Sequence, residues 1–138
     1  MSYQAYINEH KELYQKLEYY LQEFTKLKNK RDDEFLFKSS ESFYGYIEDL
    51  LEKHFKDEEE NLFPNLKDQV EAQMLERIIN DHVEIREKFT KLKEQMQAFK
   101  EDPSLDYKTQ VLFPSYNLIA TINHHAQRED REIFNSPA

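Results

Sequence analysis

Apolar residues recur at spacings of three and four through most of the chain, in four runs parted by short polar stretches, and this period predicts amphipathic helices. The first run is Tyr3, Tyr6, Ile7, Leu13, Tyr14, Leu17, Leu21, Phe24 and Leu27, and predicts a helix from about Ser2 to Lys30. The second, Phe43, Ile47, Leu50, Leu51 and Leu62, predicts a helix capped by Asp32 or Asp33 and ended by Pro64. A connection around Pro64 to Asp68 leads to the third run, Leu75, Ile78, Ile79, Ile85, Phe89, Leu92, Met96 and Phe99, which stops before Asp102-Pro103. The fourth run is Leu118, Ile122 and Ile133, on a helix that starts between Asp106 and Pro114, where Pro114 is a first-turn residue or a kink. Helices of ~25 residues are roughly 38 Å long, and short links favour antiparallel neighbours. The expected fold is all-α, an antiparallel up-down-up-down four-helix bundle.

Each stripe is interrupted by a histidine. His10, His54, His82 and His125 fall on the apolar faces of the four helices in turn, and Glu58 and Glu129 lie one turn after the second and fourth. These interruptions repeat. Ile7-Asn8-Glu9-His10-Lys11-Glu12-Leu13 returns as Ile79-Asn80-Asp81-His82-Val83-Glu84-Ile85, and His54-x-x-x-Glu58 with Leu62-Phe63 returns as His125-x-x-x-Glu129 with Ile133-Phe134. The bundle is thus read as two copies of one helical hairpin.

Composition narrows the class. At 138 residues the chain is expected to form one domain, residues 1–138. A single glycine and four prolines leave few turn signals, which agrees with long helices. Mean hydropathy is −0.95 and 34% of residues are charged, yet 14% aromatics on regular stripes supply the burial that a disordered chain lacks. The absence of cysteine excludes disulfides, Fe–S clusters, thiolate zinc sites and a cysteine nucleophile. A net charge of −9 disfavours nucleic acid and anionic membrane as partners. With no run approaching ~20 apolar residues and no signal segment at the start, the expectation is a cytoplasmic protein.

A neutral imidazole on a buried face needs hydrogen-bond partners, and an ionised glutamate one turn away costs several kcal/mol without a positive partner. Arg86 is the one basic residue near a core position. Metal ions would satisfy all six groups together. Side chains at i and i+4 share one helical face, so His54 with Glu58 and His125 with Glu129 are chelating pairs. Two histidines for each of two ions, with the two glutamates bridging, gives about four protein ligands per ion and leaves positions open. Imidazole and carboxylate suit iron among redox metals, with manganese and zinc also compatible. The Glu-x-x-His pattern of ferritin-like bundles does not occur, since Ile7, Leu51, Ile79, Thr121 and Ile122 stand three residues before the five histidines.

Together these segments resemble the hemerythrin-like, or HHE cation-binding, four-helix proteins. Glu9-His10 and Asp81-His82 match the family's acidic-His signature, and His54 to Glu58 and His125 to Glu129 match its His-x-x-x-Glu signatures, over nearly the whole chain. The resemblance implies a non-haem diiron centre, oxo- or hydroxo-bridged, that binds or reacts with O2, NO or peroxide. It implies His10, His54, His82 and His125 as terminal metal ligands and Glu58 and Glu129 as bridges. Storage, sensing or transport follows as the function; the alternatives are a diiron enzyme reducing peroxide or NO, an iron donor for repair, and an iron-sensing structural bundle.

The chain also departs from the oxygen carriers of that family, which have a second histidine one turn after the first in the third helix. Arg86 stands there, and Tyr14 at the equivalent place in the repeat. Both are expected to pack or to line the open side of the centre. Carriers use His-x-x-x-x-Asp in the last helix, a spacing that His125 with Asp130 also fits, as His124 fits with Glu129. Helical geometry favours His125 and Glu129 over either. His124, without a histidine counterpart in the repeat, where Lys53 stands, is expected at the surface or in the outer shell of the centre.

Overall fold

The computed structural model describes residues 3–134. It contains four helices and no strand among those residues, consistent with a helical bundle. Helix α1 is Gln4–Thr25; the expected start at Ser2 lies outside the described residues. Helix α2 spans 33–66 without a break, α3 is Ala72–Glu101, and α4 spans 108–132. Helix α1 packs on α2 and α4, and α3 packs on α4.

The caps explain most boundaries. Asp32, in extended conformation, accepts from the Phe35 amide, and Asp33 and Glu34 place negative charge in the first turn of α2. Helix α1 stops at Thr25, short of the expected Lys30, although Leu27 beyond its end is still buried and its carbonyl accepts from the Tyr107 hydroxyl at 2.8 Å. Leu27 therefore anchors a turn, and its apolar spacing is not a continuation of the helix.

Pro64 does not end α2. The helix widens to π geometry over Glu58–Leu62, with the Phe63 amide bonded to the Glu58 carbonyl, and continues as Phe63–Leu66. The same occurs before Pro114, where Lys108–Leu112 is π-helical and the Phe113 amide reaches the Lys108 carbonyl. A proline ring in an α-helix clashes with the carbonyl four residues back, and a local i to i+5 turn relieves that clash. A further π segment, Leu50–Phe55, carries His54.

Two apolar clusters enclose the polar interruptions. The larger includes Leu17, Phe24, Phe43, Ile47, Phe55, Ile85, Phe89, Leu92 and Phe99. The smaller, at the opposite side of the histidines, is Leu62, Phe63, Leu66, Leu75, Ile78, Ile133 and Phe134. One expected stripe member is misplaced: Ile79 is 40% exposed, because Ile78 occupies the inward position and two adjacent residues lie about 100° apart on a helix.

Candidate metal centre

All six residues singled out from the sequence are buried and face one another. His10 comes from α1, His54 and Glu58 from α2, His82 from α3, and His125 and Glu129 from α4. They form two overlapping groups, His10, His54, Glu58, Glu129 and Glu58, His82, His125, Glu129, in each of which the donor atoms lie within 4.8 Å of one another. The Nε2 atoms pair across the helices, His10 to His54 at 3.2 Å and His82 to His125 at 3.1 Å. Glu58 divides its oxygens between the pairs, with Oε2 3.4 Å from His54 Nε2 and Oε1 3.0 Å from His82 Nε2. Glu129 Oε1 lies 3.3 Å from His10 Nε2 and 3.2 Å from His125 Nε2.

Behind each of the four inward histidines stands a carboxylate. The Nδ1 of His10 donates to Asp130 at 2.7 Å, that of His82 to Glu59 at 2.6 Å, that of His125 to Asp81 at 3.1 Å, and that of His54 to Glu9. Each carboxylate accepts a hydrogen bond from Nδ1–H, which fixes that proton on the outer nitrogen and directs Nε2 inward, the orientation a neutral metal-ligating imidazole needs. The arrangement follows the internal repeat. Glu9 and Asp81 precede the histidines of α1 and α3, and Glu59 and Asp130 follow the glutamates of α2 and α4.

Electrostatics without a metal show what the site would exchange. Burial disfavours the charged imidazole of His10, yet the hydrogen bond to Asp130 and the nearby Glu129 carboxylate push its pKa up to about 9. His125 is likewise raised well above its ordinary value by Glu129 and Asp81 against the pull of burial, and His54 is raised by Glu58. Glu58, wholly buried, is held well below the usual carboxylate range by His125, His54 and His82, although burial alone would raise it. The metal-free site therefore stores protons where cations would sit. Even so, Glu58 Oε2 and both oxygens of Glu129 make no aligned hydrogen bond in the interior, and Glu58 Oε2 and Glu129 Oε1 are met only by imidazole nitrogens 3.2–3.4 Å away. These orphaned oxygens, amid four inward imidazole nitrogens and no thiolate, fit a divalent or trivalent cation with nitrogen and oxygen preference.

The family description "Hemerythrin HHE cation binding domain" matches residues 1–136. The chain belongs to the hemerythrin HHE cation-binding family. Comparison with curated proteins and with solved structures finds no match. Membership and the buried His/Glu groups agree on a metal-binding helical protein. Among the described residues no helix is long and apolar enough to cross a membrane.

Within this hemerythrin-like frame the carboxylates of α4 take different places. Glu129 faces the cluster, while Asp130 turns behind it to His10, so the spacing that suits the oxygen carriers is taken by a hydrogen-bond acceptor. His124 is exposed, as expected. Tyr14 and Arg86 meet the site through carboxylates. The Tyr14 hydroxyl donates to Asp130 at 2.5 Å, and Arg86 grips Glu59 at 2.6 and 3.1 Å, so both orient carboxylates that orient histidines. Burial first, and then Asp130, raises the Tyr14 phenol and keeps it a proton donor. Sequence reasoning gave no role to Glu59 or to Phe55, whose ring stacks on His82 with centroids 3.9 Å apart. Glu59 was readable as the repeat partner of Asp130; the stacking of Phe55 carried no comparable signal.

Proposed function

We propose that this chain is a single-domain, antiparallel hemerythrin-like bundle holding two iron ions, and that it binds or reacts with O2 or a related small molecule, NO or peroxide. The observation that carries this reading is the bridging placement of Glu58, one oxygen toward each histidine pair, with buried carboxylate oxygens otherwise unpartnered. His10 and His54 would hold one ion, His82 and His125 the other, and Glu58 and Glu129 would serve both. Iron would supply one-electron chemistry toward small oxidants, which manganese and zinc supply less readily or not at all. Short connections between consecutive helices, such as 67–71 between α2 and α3, support the antiparallel order.

The size of the ligand follows from burial. His10, His82 and His125 are 1–2% exposed and both glutamates 0%, with His54 alone of the six at 8% beside a surface cleft, so a ligand that reaches the buried glutamates without moving a helix is only a few atoms in size. The roles this suits are storage, sensing or transport. An enzymatic reading, reduction of peroxide or NO, draws on the even sharing of donors, two histidines and two glutamates on each side, which would leave both ions with the same number of protein ligands.

Metal analysis with absorption spectra of the oxidised protein tests the centre, and two irons per chain are expected. A value near zero with helicity intact would overturn it. Stopped-flow mixing of the reduced, iron-loaded protein with O2 then separates the roles: an adduct discharged by removing O2 supports carriage or sensing, and prompt oxidation followed by peroxide turnover supports the enzyme.

A further inference from the structure

The two sides of the site match in donors and differ in surroundings. A cleft of about 490 Å³ opens directly on His54, with Glu9, Glu12, Asp49, Lys53 and Asp57 along its walls. His54 is the most exposed of the six inward residues at 8%. Directly behind it lies Glu58, fully buried, whose Oε2 has no hydrogen-bond partner.

The repeat supplies an internal control. The counterparts of Glu9, Glu12, Asp49, Lys53 and Asp57 are Asp81, Glu84, Ala120, His124 and Arg128. One side thus carries four carboxylates against one ammonium, Lys53, which lies 3.8 Å from Asp49, and the other two carboxylates against one guanidinium. On that second side Arg128 covers Asp81 at 2.9 Å, and Lys88 is paired to Glu84 at 3.1 Å. Phe55 lies flat on His82, with Arg86 over its ring at 5.9 Å from the centroid. The His82–His125 side is therefore closed and locally neutralised, and the His10–His54 side is open and acidic.

We propose that the cleft beside His54 is the route by which divalent cations reach the centre, so that the His10–His54 position loads from solvent and the His82–His125 position loads through it. This rests on the metal-centre reading above. A cleft walled by one sign of charge concentrates counter-ions and raises association rates by about 10- to 1000-fold, an effect that salt suppresses.

The test is the rate of Co(II) uptake by the metal-free protein, followed by d–d absorption in stopped flow, with the final Co(II) content measured separately. Glu12→Gln/Asp49→Asn touches no inward residue and none of the acceptors behind the histidines. It should slow uptake roughly 3- to 10-fold at low salt and flatten the salt dependence, with two Co(II) per chain still bound at the end. Asp57→Arg, which copies the closed side, should slow it further, and Glu84→Gln, the mirror-image control, should leave it unchanged. Equal rates in wild type and Glu12→Gln/Asp49→Asn, or an equal slowing by Glu84→Gln, would overturn the route alone. A wild type that binds no Co(II) would overturn the centre and the route together.

Discussion

Removing metal should reverse the pH dependence of this protein's stability, and His10 alone gives a lower bound on the size of the effect. Its imidazole is 1% exposed and hydrogen-bonded to Asp130, with a folded-state pKa pushed from 6.5 up to about 9. A group whose pKa is raised by folding contributes stability that is complete below its unfolded value and is lost as pH rises through its folded value. At about 1.4 kcal/mol per pH unit, the displacement of His10 is worth about 3 kcal/mol, present at pH 6 and gone by about pH 10. His125 is displaced in the same direction and adds to the loss. In the metal-loaded chain those nitrogens are neutral ligands, so metal binding must release the stored protons and strengthens as pH rises. Urea unfolding at several pH values between 6 and 10, in chelator and in saturating metal, should give curves that diverge with pH. Metal-free stability that stays level or climbs between pH 6.5 and 9.5 would refute the stored-proton account.

Other outcomes follow from individual side chains. Glu58→Ala should abolish stable binding at both positions, because one residue serves both; metal analysis showing two ions retained would contradict the bridging geometry. His124→Ala should leave metal content and unfolding midpoint unchanged, whereas His125→Ala should lose at least one ion. Tyr14→Phe removes the donor that positions Asp130 and should weaken metal binding about 10-fold in chelator competition without changing the final metal content. Phe55→Ala opens a cavity beside His82 and should cost about 3–5 kcal/mol in denaturant unfolding.

The helices and the six inward residues were legible because each histidine and glutamate sits in phase with an apolar stripe, and polar residues persist at such positions only with partners. Their assembly at one place was legible from the repeat. What sequence periodicity misses is anything that breaks the α period. The π segments before Pro64 and Pro114 let the chain pass a proline without stopping, so Pro64 reads as a terminator and is not one. Leu27 keeps the helical spacing after the helix has ended. The carboxylates behind the histidines depend on contacts between helices: Asp130 meets His10 across 120 positions of chain, and no local pattern distinguishes a ligand from an acceptor that orients one. Charge state was the least accessible, since the ordinary imidazole value of about 6.5 is overridden at His10 and His125 only once buried carboxylates surround them.

The repeat has a consequence for what this architecture can vary. Two separate, identical hairpins related by a twofold axis could offer every donor seen here, but any substitution in such a dimer would appear on both sides at once. With both hairpins in one chain, Tyr14 can differ from Arg86 and Asp57 from Arg128 while the inward residues stay alike. Covalent continuity thereby frees the periphery of each position to drift independently of the other, and a pair of chemically equal pockets can acquire a front and a back.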